Sequence, residues 1–252
     1  DFASVTEQPW QGATSMQLSM LRTRYGWAAE YASGKDVLEV ACGAGLGLGW
    51  LAKWARFVEA GDIDEENCRI ARETYRGEAK IRVERMDASQ LPFEDGSFDV
   101  VVLFEALYYL PDVPRFLVEA ARVLRRGGRL LIATVNSEWR AFHPSPFHTG
   151  YWTGAELVAA LAEAGFVTQI SAAFLDGAGW RNRLKTMAAY CGCMPRTMRG
   201  KAVLKSIFYG RLERIPPRVE SAGPEERRIP FQEAGDLTRY RNLYFEARKA
   251  VT

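Results

Sequence analysis

The stretch Asp36 to Trp50, DVLEVACGAGLGLGW, constrains this chain more than any other. Val37, Leu38 and Val40 suit a short buried strand, whereas Gly43, Gly45, Gly47 and Gly49 cannot all sit in a regular helix or strand without cost. The stretch therefore reads as a strand, a glycine turn and a helix. Such a turn lets the backbone bend sharply and lets a small ligand lie against exposed N–H groups at the helix N-terminus. The dinucleotide fingerprint G-x-G-x-x-G fails in every register, because its third glycine would fall on Leu48, Trp50 or Ala52.

Around this turn the apolar periodicity alternates between helix and strand. A helix is expected over Ser15 to Tyr31, then strands over Phe57–Ile63, Ile81–Arg85 and Phe98–Phe104. A helix from Asp112 to Leu124 opens with Pro114 in its first turn and closes on Arg125, Arg126 and Gly127. Strand Gly128–Val135, helix Thr153–Ala164, strand Phe166–Leu175 and a last strand Leu243–Ala250 follow. Phe98 to Phe104 is nearly continuous in apolar residues, as a parallel strand covered on both faces should be. Alternation of this kind predicts parallel crossovers and a doubly wound α/β sheet.

Glu39, Ala41, Gly43 and Gly45 form an acidic residue followed by small residues and G-x-G, which resembles motif I of the class I S-adenosylmethionine (SAM)-dependent methyltransferases. Asp62 lies 19 positions beyond Gly43, at the tip of the second strand, where a carboxylate can accept hydrogen bonds from both ribose hydroxyls. Asp64 already suits the alternative job of capping the next helix. The run DASQLPFEDGSFDVV from Asp87 resembles the family stretch in which an Asp contacts the adenine amino group and the next N–H meets the ring. RVLRRGGRLLIATVN resembles the corresponding family segment almost position by position. The resemblance implies SAM as cofactor, S-adenosylhomocysteine as product, and cofactor contacts from Glu39, Ala41, Gly43, Gly45, Asp62, Ile63, Asp87, Ala88 and Phe104. It implies a Rossmann-like seven-stranded sheet, mostly parallel with an antiparallel edge strand, and a helical insertion before that strand. The implied organisation is an N-terminal helical cap (1–34), a core (35–175), the insertion (176–242) and the final strand (243–252).

In this family the N-terminal segment commonly covers the cofactor, which makes Trp10, Gln17 and Tyr25 pocket candidates. Glu105, Tyr108 and Tyr109 fall where the fourth strand leaves the sheet, the edge at which open α/β folds place ligands. Relatives often carry histidines where the two tyrosines stand. Both histidines of the chain, His143 and His148, lie in the loop after the fifth strand. Pro146, Phe147, His148, Trp152, Thr153, Glu156 and Leu157 there resemble a branch found with glycan and polysaccharide biosynthesis. Tyr151 replaces an acidic residue often seen at its position. His148 is the first candidate for a general base, with Glu105 and His143 behind it, because a hydroxyl acceptor must lose its proton as it attacks.

From Ala178 to Arg218 the chain carries ten Lys or Arg residues against one acidic residue, Glu213. This basic segment reads as a solvated helical lid, a clamp for a phosphorylated or lipid-linked acceptor, or a peripheral contact with anionic lipid. Residues 216–236, rich in proline, glycine and charge, read as a mobile loop. The net charge of +2 gives no argument for nucleic acid, and no stretch approaches 18 consecutive apolar residues. The four cysteines include one C-x-C and no C-x-x-C, so neither a metal site nor a disulfide framework is expected, and a reducing, cytoplasmic setting fits. The chain begins at Asp1 and no signal peptide is visible in it. Two functions compete: methyl transfer to a small-molecule or glycan acceptor, at oxygen or alternatively at an amine, and a scaffold that keeps a nucleotide-binding fold without chemistry.

Overall fold

The computed structural model describes residues 6–176, 212–219 and 226–250. Helix α1 (Ser15–Ala32) precedes strand β1 (Asp36–Val40), helix α2 (Leu48–Trp54), β2 (Phe57–Asp62), α3 (Glu65–Thr74), β3 (Ile81–Arg85) and β4 (Phe98–Phe104). Then come α4 (Val113–Val123), β5 (Leu124–Val135), α5 (Gly154–Glu163), β6 (Phe166–Leu175) and β7 (Tyr240–Lys249). In space the strands run β3-β2-β1-β4-β5-β7-β6, with the two-residue strand Ile229–Pro230 added beyond β6.

The first five strands of that order pair in parallel, and β7 is antiparallel to both β5 and β6. The α/β sheet is therefore mostly parallel, as the alternating pattern predicts. One detail differs from expectation: the reversed strand lies inside the sheet instead of at its edge. Strand β7 is apolar on both faces at Leu243, Tyr244 and Phe245, all at most 2% exposed, a pattern that belongs between neighbours and not on a rim. It also starts at Tyr240, three residues earlier than the apolar run suggests, so residues 226–242 join the sheet: Ile229–Pro230 at its margin, followed by a short helix Phe231–Ala234, and 240–242 inside it as the start of β7.

Strand alternation sorts the side chains between two cores. Val37, Val100, Val102, Phe104, Leu131 and Tyr244 face α1, α2 and α3, whereas Leu38, Val40, Val101, Leu103, Leu130 and Ile132 face α4 and α5. Trp27 of α1 anchors the first face, stacking on Phe104 at 6.0 Å and meeting Tyr244 edge-on at 5.2 Å. Phe116, Leu117, Ala120 and Val123 recur at helical spacing and bury one stripe of α4 in the second.

The helix ends follow local chemistry. Thr14 with Gln17 and Thr153 with Glu156 form reciprocal capping boxes, and Asp64 and Asp112 cap α3 and α4; each cap contributes roughly 1 kcal/mol. The N-terminal strap crosses the sheet's ligand edge and pairs with a returning segment: Gly12–Ala13 ladders with Glu213–Arg214, and Val219 N–H donates to Leu46 O at 2.8 Å. Residues 216–219 and 226–236, part of the stretch read as a mobile loop, thus have defined partners at Val219 and Ile229–Pro230. Most of the basic segment, including Arg196, Arg199 and Lys201, and two of the four cysteines, Cys191 and Cys193, lie outside the described residues. Cys42 and Cys68 are free and buried. Among the described residues no helix is long and apolar enough to cross a membrane.

Candidate active site

Strands β1, β2 and β4 end beside one another, and a cavity of about 700 Å³ opens at those carboxyl ends. Its position follows from the parallel order of the sheet. The backbone there is forced into unusual shapes: Ala41 after β1 and Glu105 after β4 have φ of 55° and 51°, and both line the cavity. Left-handed non-glycine residues cost on the order of 1 to 2 kcal/mol each, and such strain concentrates at functional sites.

The glycine turn divides its work. Gly43, at φ 55°, lines the cavity, and its N–H donates to Asp62 Oδ2 at 2.9 Å. Asp62 Oδ1 accepts from the Asp64 N–H at 2.9 Å, so this carboxylate fixes the glycine turn to the end of β2. Gly45 lies away from the cavity lining; an added Cβ would come within 2.8 Å of the Ala71 methyl, so this glycine admits α3. Gly47 makes room for an aromatic ring, since a Cβ there would come within 2.1 Å of Tyr25.

That ring closes the inner wall. Alternation along β1 turns Glu39 toward α1, where Tyr25 donates its hydroxyl to Glu39 Oε1 at 2.5 Å. Glu39 is 1% exposed, lines the cavity, and its Oε2 has no hydrogen-bond partner. Burial pushes its carboxyl up to about 7, against the lowering influence of Tyr25 and Arg24. An unpartnered buried carboxylate oxygen is costly unless a ligand donor meets it.

Ile63, Met86, Asp87 and Ala88 line the far end. Asp87 Oδ1 accepts from the Ser89 N–H and hydroxyl at 2.8 and 2.6 Å, which holds its carboxyl below the usual range. Phe104 lines the floor and meets Tyr25 edge-on at 5.4 Å.

At the opposite end stand Gln17, Arg24, Glu105, Tyr108, Tyr109 and Arg241. Gln17 is committed to its capping box. Glu105 accepts from Asn242 Nδ2 at 2.6 Å and from the Tyr108 hydroxyl at 3.3 Å. Burial pushes its carboxyl up to about 7, with Arg24, the Tyr108 hydrogen bond and Arg241 pulling the other way. Arg24 pairs with Glu7 at 2.6 Å.

The loop after β5 forms a wall and not a floor. Thr149, on the lining, ties it to the turn 107–110 through its N–H to Tyr108 O at 2.9 Å and its hydroxyl to Leu110 O at 2.7 Å. Tyr151 stacks on Tyr108 at 5.1 Å but lies behind it, off the lining. His148 packs 4.8 Å from Tyr151, yet both it and His143 are exposed and line no part of the cavity. Trp10 is 63% exposed and also stands outside.

Sequence reasoning missed Glu7, Arg24, Arg241 and Asn242. Arg24 sits one residue before Tyr25 on a helix already suspected of covering the site. A cation in helical step with Leu21 and Ala28 of the apolar stripe was the available signal, and the structure leaves it 7% exposed. Arg241 and Asn242 became visible only once β7 was seen to lie inside the sheet.

Residues 38–132 match the family model described as a methyltransferase domain. A Mycolicibacterium smegmatis protein named as a probable S-adenosylmethionine-dependent methyltransferase is 36% identical over 159 residues, 62% of this chain and 61% of its own length. A Mycobacterium ulcerans phthiotriol/phenolphthiotriol dimycocerosates methyltransferase is 40% identical over 118 residues, covering 43% of this chain and 42% of the relative. The chain thus spans about three fifths or less of these curated relatives. Among solved structures, a SAM-dependent methyltransferase from Aquifex aeolicus superposes with a TM-score of 0.53 at 25% identity, covering 60% of this chain and 84% of that one. The domain match and the relatives imply SAM as the cofactor.

Proposed function

We propose that this chain is a class I SAM-dependent methyltransferase that moves a methyl group to a hydroxyl of a small-molecule, lipid or glycan acceptor, with Glu105 as the proton acceptor. One observation carries the reading: Glu39, Gly43, Asp62 and Asp87 share a single continuous cavity with Glu105 and Tyr108.

The residues present fit SAM. The unpartnered Oε2 of buried Glu39 suits the cofactor's ammonium, Asp62 suits the ribose diol, and Asp87 with the Ala88 N–H suits adenine. When bound, the sulfonium supplies an activated methyl group, so the protein has to orient the acceptor and exclude water. Glu105 is partly buried beside Tyr108 and held by Asn242, and a carboxylate titrating near 7 can take the acceptor's proton at neutral pH. This reading prefers Glu105 to His148 and His143 because the histidines stand outside the cavity. A lipid acceptor draws support from the name of the Mycobacterium ulcerans relative. A clamp or membrane contact by Arg196, Arg199 and Lys201 belongs to the same proposal, as does a cytoplasmic location.

Two experiments address it. Methyl transfer from labelled SAM, tested on a panel of sugars, phenols, hydroxy lipids and amines, should give product with a hydroxylated class and not with amines alone. Asp62→Ala should weaken SAM binding about tenfold or more, because charge-assisted hydrogen bonds contribute roughly 1.5 to 3 kcal/mol. Its thermal midpoint should also fall, since the Gly43 and Asp64 N–H groups lose their acceptor. Unchanged affinity by calorimetry would remove Asp62 from the ribose site.

A further inference from the structure

The acceptor end of the cavity holds two arginines, and only one of them is in a contact ion pair among the described residues. Of its two arginines, Arg24 is neutralised by Glu7 at 2.6 Å. Arg241 is different. Its guanidinium lies over the Trp139 ring, 4.4 Å from the centroid, and among the described residues no carboxylate pairs with it. Its Nη1 has only the Met20 sulfur at 4.0 Å. Glu105 is near enough for Arg241 to lower its proton affinity, yet Asn242 and Tyr108 supply that carboxylate's hydrogen bonds.

A guanidinium stacked on an indole has one face covered and keeps its N–H edge for a partner, and that rigid edge matches a carboxylate or phosphate. Both Arg241 and Met20 line the cavity, as do Leu21, Leu110 and Pro111, so the same chamber offers apolar walls and a cation. Glu105 balances this charge from a distance without hydrogen-bonding it, so a ligand anion that meets the guanidinium edge adds charge-assisted hydrogen bonds that the chain itself does not supply.

We propose that the methyl acceptor has an apolar body bearing an oxyanion, a carboxylate or phosphate monoester, which Arg241 holds at Trp139 while the acceptor hydroxyl lies at Glu105. This rests on the methyltransferase reading above and adds a substrate class to it. The positive charge that selects the acceptor then comes from β7 inside the sheet, independently of the basic segment.

The test uses the full chain saturated with S-adenosylhomocysteine and titrated in a calorimeter with benzoate, phenyl phosphate and uncharged benzyl alcohol. At least one charged probe should bind about tenfold or more tighter than benzyl alcohol, and which of the two binds better identifies the oxyanion. Arg241→Gln should erase that preference, and Arg241→Lys should keep part of it, because the charge remains while the planar fork is lost. S-adenosylhomocysteine should bind all three proteins alike and raise their unfolding temperatures alike, which reports an intact fold. Equal or undetectable binding of the charged probes to the unmodified chain, or a preference surviving Arg241→Gln, would overturn the assignment. A chain that binds no S-adenosylhomocysteine would instead sink the methyltransferase reading, and this assignment with it.

Discussion

Glu105→Gln should lower turnover by about 100 to 10,000-fold while S-adenosylhomocysteine still binds with near-normal affinity, the signature of losing a positioned base. The substitution is nearly isosteric: the amide oxygen can still accept from Asn242 Nδ2, so the wall of the cavity keeps its shape. A neutral amide also carries no ionic desolvation cost at a site where burial disfavours the charge, so the fold should be no less stable near neutral pH. The pH profile gives an independent sign. The base works only when ionised, and its carboxyl titrates near 7, so the unmodified rate should climb as pH rises through about 7 and then level. His148→Asn should change turnover little, because that ring is exposed behind Tyr151 and off the cavity lining. Near-normal turnover in Glu105→Gln would defeat the base assignment and favour an amine acceptor.

Glu39→Gln should weaken SAM binding by about ten- to a hundredfold, the worth of roughly 1.5 to 3 kcal/mol for a hydrogen bond to a charged partner. Here too the sign with pH is informative. Burial holds the Glu39 carboxyl up at about 7, so at pH 6 the free protein carries it mostly protonated. An ammonium placed against Oε2 favours the ionised form, so binding at pH 6 should release a proton and affinity should rise toward pH 8. Calorimetry in buffers of differing ionisation enthalpy reads that proton directly. In the Gln variant both the release and the pH slope should vanish; if they persist, another group carries the linkage. In the free protein the raised carboxyl works against folding above its ordinary range, since the unfolded chain ionises there first. Glu39→Gln should therefore leave the cofactor-free domain at least as stable near pH 7, provided that the amide keeps the Tyr25 hydrogen bond.

The frame of the molecule was legible in the sequence because local rules and tertiary packing agree there. Strands Ile81–Arg85, Phe98–Phe104 and Phe166–Leu175 have the bounds their apolar runs suggest, and Thr153 caps α5 as its spacing with Glu156 implies. The glycine turn was legible as a turn but not in its division of labour. Whether Gly43, Gly45 or Gly47 faces a ligand, a helix or an aromatic ring depends on Ala71 and Tyr25, which arrive from elsewhere in the chain. The acceptor end was least legible. Histidine attracts attention as a base wherever it occurs, yet its role depends on which way a loop faces, and here Thr149 and not His148 reaches the lining. Glu105 was found because it ends a strand. Arg241 and Asn242 were not, because a run that looks like an edge strand gives no hint that its first residues stand inside the sheet beside β5.

The central claim is that the cavity at the ends of β1, β2 and β4 is built for SAM, and one calorimetric comparison tests it most directly. The unmodified chain titrated with SAM, S-adenosylhomocysteine and NAD should bind the first two with one-to-one stoichiometry and leave NAD without measurable heat. Binding of NAD in preference to S-adenosylhomocysteine, or no binding of either sulfur compound at pH 8, would contradict the account.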